Sequence, residues 1–226
     1  MIAAALRDDI QRYAHEMRGE NRLFVGAARG VLTRTTITLY LANLHELICN
    51  SQRHLRVARD TALARGLLDL AAYYAEKCVE EQGHDAWAVA DMSRVAPKSA
   101  RGAVLPATRE RIERLDAIIE EDPELYLTYT LFAEYVTVLL GGDWLDLLEA
   151  NCGIPRTSMT VVRNHVDLDK EHVAEALERI DALVSDPRKI TRMRQVLRES
   201  FALFDRFGAE ICAHAEVQDL RHVPAA

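Results

Sequence analysis

Apolar residues recur every three or four positions along almost the whole chain, which is the period of amphipathic helices. The pattern is clearest near the end. There Met193, Val196, Leu197, Phe201, Leu203, Phe204 and Phe207 predict a helix from Lys189 to about Val217. Upstream, helices are expected over Ile2–Arg18, from Thr35 or Thr36 (either a good N-cap) to Arg65 with Gly66 as its stop, and over Leu67–Val95. Ala96–Ala107 reads as the clearest loop. A short polar helix then runs up to Pro123. An apolar helix over Pro123–Leu140 is expected to end at Gly141-Gly142, and a short helix over Asp143–Asn151 leads to a turn at Cys152–Pro155. A helix over Thr157–Val184 follows. No strand alternation, heptad run or repeat interrupts this series. The expected fold is all-α, with seven or eight helices in one domain spanning residues 1–226.

Composition narrows the partners. The 226 residues are 49% hydrophobic, enough for a sizeable core. Net charge is −7 and no basic stripe occurs, which speaks against nucleic acid or an anionic membrane surface. Leu125–Leu140 is shorter than a membrane span and carries three Thr and a Glu, so it is expected to be a buried helix. The N-terminus lacks the pattern of a signal peptide. Cys49, Cys78, Cys152 and Cys212 are scattered without a paired motif, as in a reduced cytoplasmic protein. A small-molecule substrate remains the favoured partner. The amphipathic first and last helices suit either a homodimer interface or internal packing.

In three places polar residues break the helical pattern. Glu134 is the only charged residue of Leu125–Leu140. A carboxylate in such a setting needs a partner, a proton or a cation, unless it lies on an exposed stripe with Thr130 and Thr137. Glu81-Gln82-Gly83-His84 has an E-x-x-H spacing, which on a helix puts a carboxylate and an imidazole on neighbouring turns of one face. Glu80 is the alternative to Glu81, and Gly83 suggests close approach of another element. Third, the stretch NHVDLDKEH places His165, Asp169 and His172 along one helical stripe, while Asp167 and Glu171 fall off it. Each match alone also suits a solvated helix face. Together they offer three carboxylates and three imidazoles. That set is too oxygen-rich for structural zinc and too histidine-rich for calcium or magnesium. It suits two ions of non-haem iron or manganese inside a helical bundle.

These motifs resemble those of the haem-oxygenase-like di-iron oxidases and oxygenases, relatives of pyrroloquinoline-quinone synthase and of thiaminase-like proteins. EEQGHDAW, the isolated Glu134, and above all His165-x3-Asp169-x2-His172 carry the resemblance, which covers nearly the whole chain. It implies a haem-oxygenase-like bundle with Glu81, His84, Glu134, His165, Asp169 and His172 as ligands to two ferrous ions, and dioxygen as co-substrate. It also implies oxidation of a small carboxylate- or amine-bearing metabolite by decarboxylation, C–C cleavage or N-oxygenation. A ferritin-like bundle would instead show E-x-x-H twice. A metal-free binding or regulatory protein on the same scaffold is the alternative. Glu46, with His45 beside it, is a candidate extra ligand or pocket residue. Arg163 and Arg53 are candidates for clamping a substrate carboxylate. Phe132, Tyr135, Trp87 and Leu44 flank the ligand segments as candidate pocket walls.

Overall fold

The computed structural model describes residues 1–96 and 103–221. The middle of the expected loop Ala96–Ala107 falls outside the described residues. In chain order the helices are α1 (Ile2–Glu20), α2 (Arg22–Ala28), α3 (Arg34–Ala64), α4 (Leu68–Glu80), α5 (Asp85–Val95), α6 (Pro106–Glu121), α7 (Pro123–Cys152), α8 (Thr160–Leu183) and α9 (Ile190–Arg221). The all-helical expectation holds, and no strand occurs among the described residues.

The boundaries shift for identifiable reasons. A helix absent from the expectation, α2, starts because the Asn21 side chain accepts the Leu23 N–H at 3.0 Å. The cap of α3 is Thr33 rather than Thr35 or Thr36; Thr33 and Thr36 each accept the other's backbone N–H in a reciprocal box. The expected helix Leu67–Val95 is two helices. They part at Glu81–His84, where Gly83 has φ +86°. Conversely, Gly141-Gly142 ends nothing: α7 runs on to Cys152 and stops at left-handed Gly153 before Pro155.

Packing explains why α7 ignores its glycines. A Cβ at Gly141 would sit 2.5 Å from Val166 Cγ2 and 3.5 Å from Val162 Cγ1, both on α8. The missing side chain lets α7 and α8 lie close together. Glu134 is seven residues before Gly141 and therefore on nearly the same face of α7. On α8, Asp169 continues the face of Val162 and Val166. Close helix approach at the glycine thus brings Glu134 against the polar stripe of α8.

Helix α7 is the spine of the molecule and packs on α8, α9, α1, α2, α6 and α3. By length and composition it is apolar enough to cross a membrane, but 67% of its most apolar window is buried inside the protein. It therefore serves as the core helix expected of Leu125–Leu140. The apolar faces of α1 and α9 turn inward as well, burying Leu6, Ile10, Leu197 and Ile211 in one continuous core. No disulfide joins the four cysteines.

Candidate metal centre

The turn between α4 and α5 is one half of the site. Glu81 and His84 lie on this turn and not on a helix face, as the E-x-x-H spacing had suggested. Gly83 is not a point of close approach: a Cβ there would meet nothing within 4 Å. Its role is the positive φ, which L side chains adopt only at a cost. Gln52 of α3 fastens the turn by donating to the Glu81 carbonyl at 2.8 Å. Glu81 Oε2 and His84 Nδ1 are 3.1 Å apart, and the His84 ring stacks on Trp87 with centroids at 4.3 Å.

The other half is on α8. Buried Asp91 of α5 accepts the Val161 N–H and the Thr160 hydroxyl, each at 2.7 Å, and so anchors the start of α8 beside the turn. One helical turn on, His165 Nδ1 lies 2.7 Å from the Val161 carbonyl oxygen. A carbonyl only accepts, so Nδ1 carries the proton and Nε2 keeps its lone pair. This is the backbone-supported tautomer that metal-binding histidines use. One ligand atom from each of Glu81, His84 and His165 lies within 4.8 Å of the others.

Glu134, Asp169 and His172 gather beside this trio. His172 Nδ1 is 3.5 Å from Asp169 Oδ1 and 4.0 Å from Glu134 Oε1, and its Nε2 is 3.4 Å from Glu80 Oε2. Glu81 thus belongs with His84 and His165, while Glu80 reaches the His172 side. At the centre of the second group is a residue that sequence reasoning missed. Lys77 is 2% exposed, and its Nζ lies 2.9 Å from Glu80 Oε2 and 3.3 Å from Glu134 Oε1. Only its spacing to Glu81, one helical turn, could have flagged it among 28 Lys and Arg.

Burial and mutual charge govern these groups. Burial pushes the Glu134 carboxyl up to about 7, against the pull of Lys77. Asp169 is raised for the same reason, with His172 opposing. His172 is raised by the neighbouring Asp169 carboxylate despite its burial. For Glu81, burial works against ionisation but is outweighed by His84 and His165, so its carboxyl is lowered. Lys77 is penalised by burial too, yet Glu134 and Glu80 hold it above its ordinary value.

A metal fits this donor set. Buried Glu134 Oε2 has no hydrogen-bond partner, and buried Asp169 Oδ1 and His172 Nδ1 face each other only at a long 3.5 Å. Unsatisfied buried lone pairs are uncommon, and a cation among them removes the cost. The mixture of carboxylates and imidazoles suits iron or manganese.

Other candidates lie elsewhere. Glu46 accepts from Asn50 Nδ2 at 3.1 Å, and His45 groups with Cys49 and Asp85 in place of the centre. Arg53 is engaged with both carboxylate oxygens of Asp116, at 2.6 and 2.9 Å. Arg163 is exposed beside Asn164. Neither arginine lines the cavity that opens beside the centre. That cavity, about 180 Å³, is bounded by Lys77, Glu81, Glu134, His165 and Asp169 at one polar end and elsewhere by mostly apolar residues of α3, α7, α8 and α9, with Arg111 of α6 among them. Thr130 and Thr137, both half-buried, share its wall with Glu134, so their stripe lines this cavity. Of the expected wall residues, Leu44 lines it. Phe132 lies in the core, and Tyr135 accepts from Gln11.

Solved structures of the same shape are known. The chain superposes on a domain of unknown function with a haem-oxygenase-like fold from Shewanella denitrificans with a TM-score of 0.84 at 17% identity, covering 96% of this chain and 94% of that one. Haem oxygenase-2 from Synechocystis, solved with haem and NO, gives 0.72 at 17% identity, with 96% and 87% covered. A CADD-like protein of unknown function from Nostoc punctiforme gives 0.70 at 16% identity, with 94% and 99% covered. No protein-family model and no curated protein matches the chain. The fold is haem-oxygenase-like.

Proposed function

We propose that this haem-oxygenase-like protein is a non-haem di-iron oxidase or oxygenase acting on a small metabolite. The observation that carries the reading is the convergence of Glu81, His84 and His165 next to Glu134, Asp169 and His172, from two helices and one turn, with buried lone pairs left unsatisfied. Ferrous iron held by these residues would supply the electrons for reducing dioxygen. The protein's part is placement. The Val161 carbonyl holds the His165 ring so that Nε2 can ligate. The carboxylates offset cationic charge, and the apolar cavity walls exclude water and hold a substrate against the centre. The reactions in view are oxidative decarboxylation, C–C cleavage and N-oxygenation. The reduced, cytoplasmic setting expected from the scattered cysteine positions belongs to the same reading.

A second reading rests on Lys77. Its ammonium lies against both Glu80 and Glu134 and offsets part of their charge, as a metal-free binding or regulatory protein would require. Anaerobic titration with ferrous iron separates the two. The oxidase reading expects up to about two equivalents per chain, a visible absorbance on adding oxygen, and loss of tight binding in His165→Ala. Absence of tight binding, with His165→Ala behaving as the parent, overturns it.

A further inference from the structure

Arg111 of α6 lies at the wall of the same cavity, is 4% exposed, and has no carboxylate partner among the described residues. Its Nε is buried without a hydrogen bond. Its guanidinium carbon rests 5.1 Å from the Tyr129 ring centroid and 5.3 Å from that of Phe204. The rings hold the group in place but supply no anion. A guanidinium withdrawn from water without a counter-charge is rare, because its desolvation is uncompensated. Elsewhere in this protein the pattern is the reverse: Arg53, Arg114 and Arg192 each meet a carboxylate.

We infer that Arg111 is the anion-binding end of the substrate cavity, and that the ligand is an apolar monocarboxylate whose carboxylate pairs with this guanidinium. The assignment deepens the oxidase reading by naming a substrate class, and it rests on that reading only for the ligand's fate. The wall between the two ends is apolar, with Leu44, Ile48, Ala133 and Val136 among its residues. A hydrocarbon chain or ring suits that wall, and a second charge does not. Tyr129, against which Arg111 rests, is five residues from Glu134 on α7, roughly 7.5 Å along the helix axis. The carboxylate would therefore lie away from the ligand cluster and the apolar part of the molecule would face it, which selects C–C cleavage over decarboxylation among the proposed reactions. At about 180 Å³ the cavity is somewhat larger than the roughly 150 Å³ that holds a benzene ring, which suits a ligand of about eight carbons.

Calorimetry with octanoate, on the full chain in chelator and again after ferrous loading, tests this. Octanoate is expected to bind at least about tenfold more tightly than octanol. Arg111→Met is expected to remove that preference while leaving octanol binding unchanged, and Arg111→Lys to retain part of it. Equal binding of octanoate and octanol to the parent protein overturns the assignment, even if the variants fail to fold. So does an undiminished preference in a folded Arg111→Met. Because the chelated protein is used, carboxylate binding without iron binding would remove the oxidase reading alone. Iron binding without carboxylate preference would remove the Arg111 assignment alone.

Discussion

Lys77 and Glu134 form a buried ion pair between α4 and α7, with Nζ 3.3 Å from Oε1. The ammonium stands among carboxylates and an imidazole, where a second metal ion would also be placed. The two cations would compete for the same oxygens. Lys77→Met is expected to destabilise the chelated protein by about 3–5 kcal/mol, because Glu134 and Glu80 lose their counter-charge. It is expected to strengthen binding of the second ferrous or manganous ion, so that metal raises the melting temperature of the variant more than that of the parent. Thermal denaturation with and without metal, alongside metal counting, reads both effects. Equal metal rescue in the two proteins would show that Lys77 does not compete.

The Gly83 turn sets the position of Glu81 and His84. Its φ of +86° is one that alanine adopts with strain, although there is room for the methyl group. Gly83→Ala is expected to cost about 1–2 kcal/mol and to weaken the first ferrous site, because relief of the strain moves the two ligands apart. Gly83→Asn, which tolerates left-handed backbone better, should lie between alanine and the parent. Melting temperatures and ferrous dissociation constants for the three proteins check the order. A first-site affinity unchanged in Gly83→Ala would show that the turn's geometry does not control the ligands.

The polar stripe on α8 was legible because an ideal helix repeats every 3.6 residues whatever it packs against. His165, Asp169 and His172 therefore share a face in the sequence and in the fold, while Asp167 and Glu171 are exposed. The pairing of Glu81 with His84 was legible for a weaker reason. Residues three apart meet on a helix and also around a tight turn, so the spacing survived although the expected helix did not. Gly141 misled because a glycine's local preference, worth up to about 1 kcal/mol, is small beside the packing it permits against Val166. Lys77 and Arg111 were not legible. Each is one basic residue on an amphipathic helix, and only the tertiary arrangement shows that its charge is buried. The engagement of Arg53 was hidden on the same ground: its partner Asp116 is 63 residues away.

His54 offers a stability measurement independent of the metal centre. It is 1% exposed on α3. Its Nε2 lies 3.0 Å from Arg53 Nη2 and 3.2 Å from Asp116 Oδ1, and the Tyr126 ring is its aromatic neighbour at 6.1 Å. Burial, helped by the Arg53 charge, pushes its pKa down from 6.5 to about 4, and Asp116 only partly opposes this. The folded protein thus holds His54 neutral, with Nε2 accepting from Arg53. Between pH 6.5 and about 4 the unfolded chain binds a proton at this position that the folded protein refuses. The stabilisation is therefore complete above pH 6.5 and is lost as pH falls toward 4. At about 1.4 kcal/mol per pH unit the loss is on the order of 3 kcal/mol. His54→Gln can still accept from Arg53 but does not titrate. Urea unfolding of metal-free protein at intervals from pH 7.5 to 4 should show a decline in the parent that is shallower by about that amount in the variant. Parallel declines in the two proteins would mean that His54 is not held neutral.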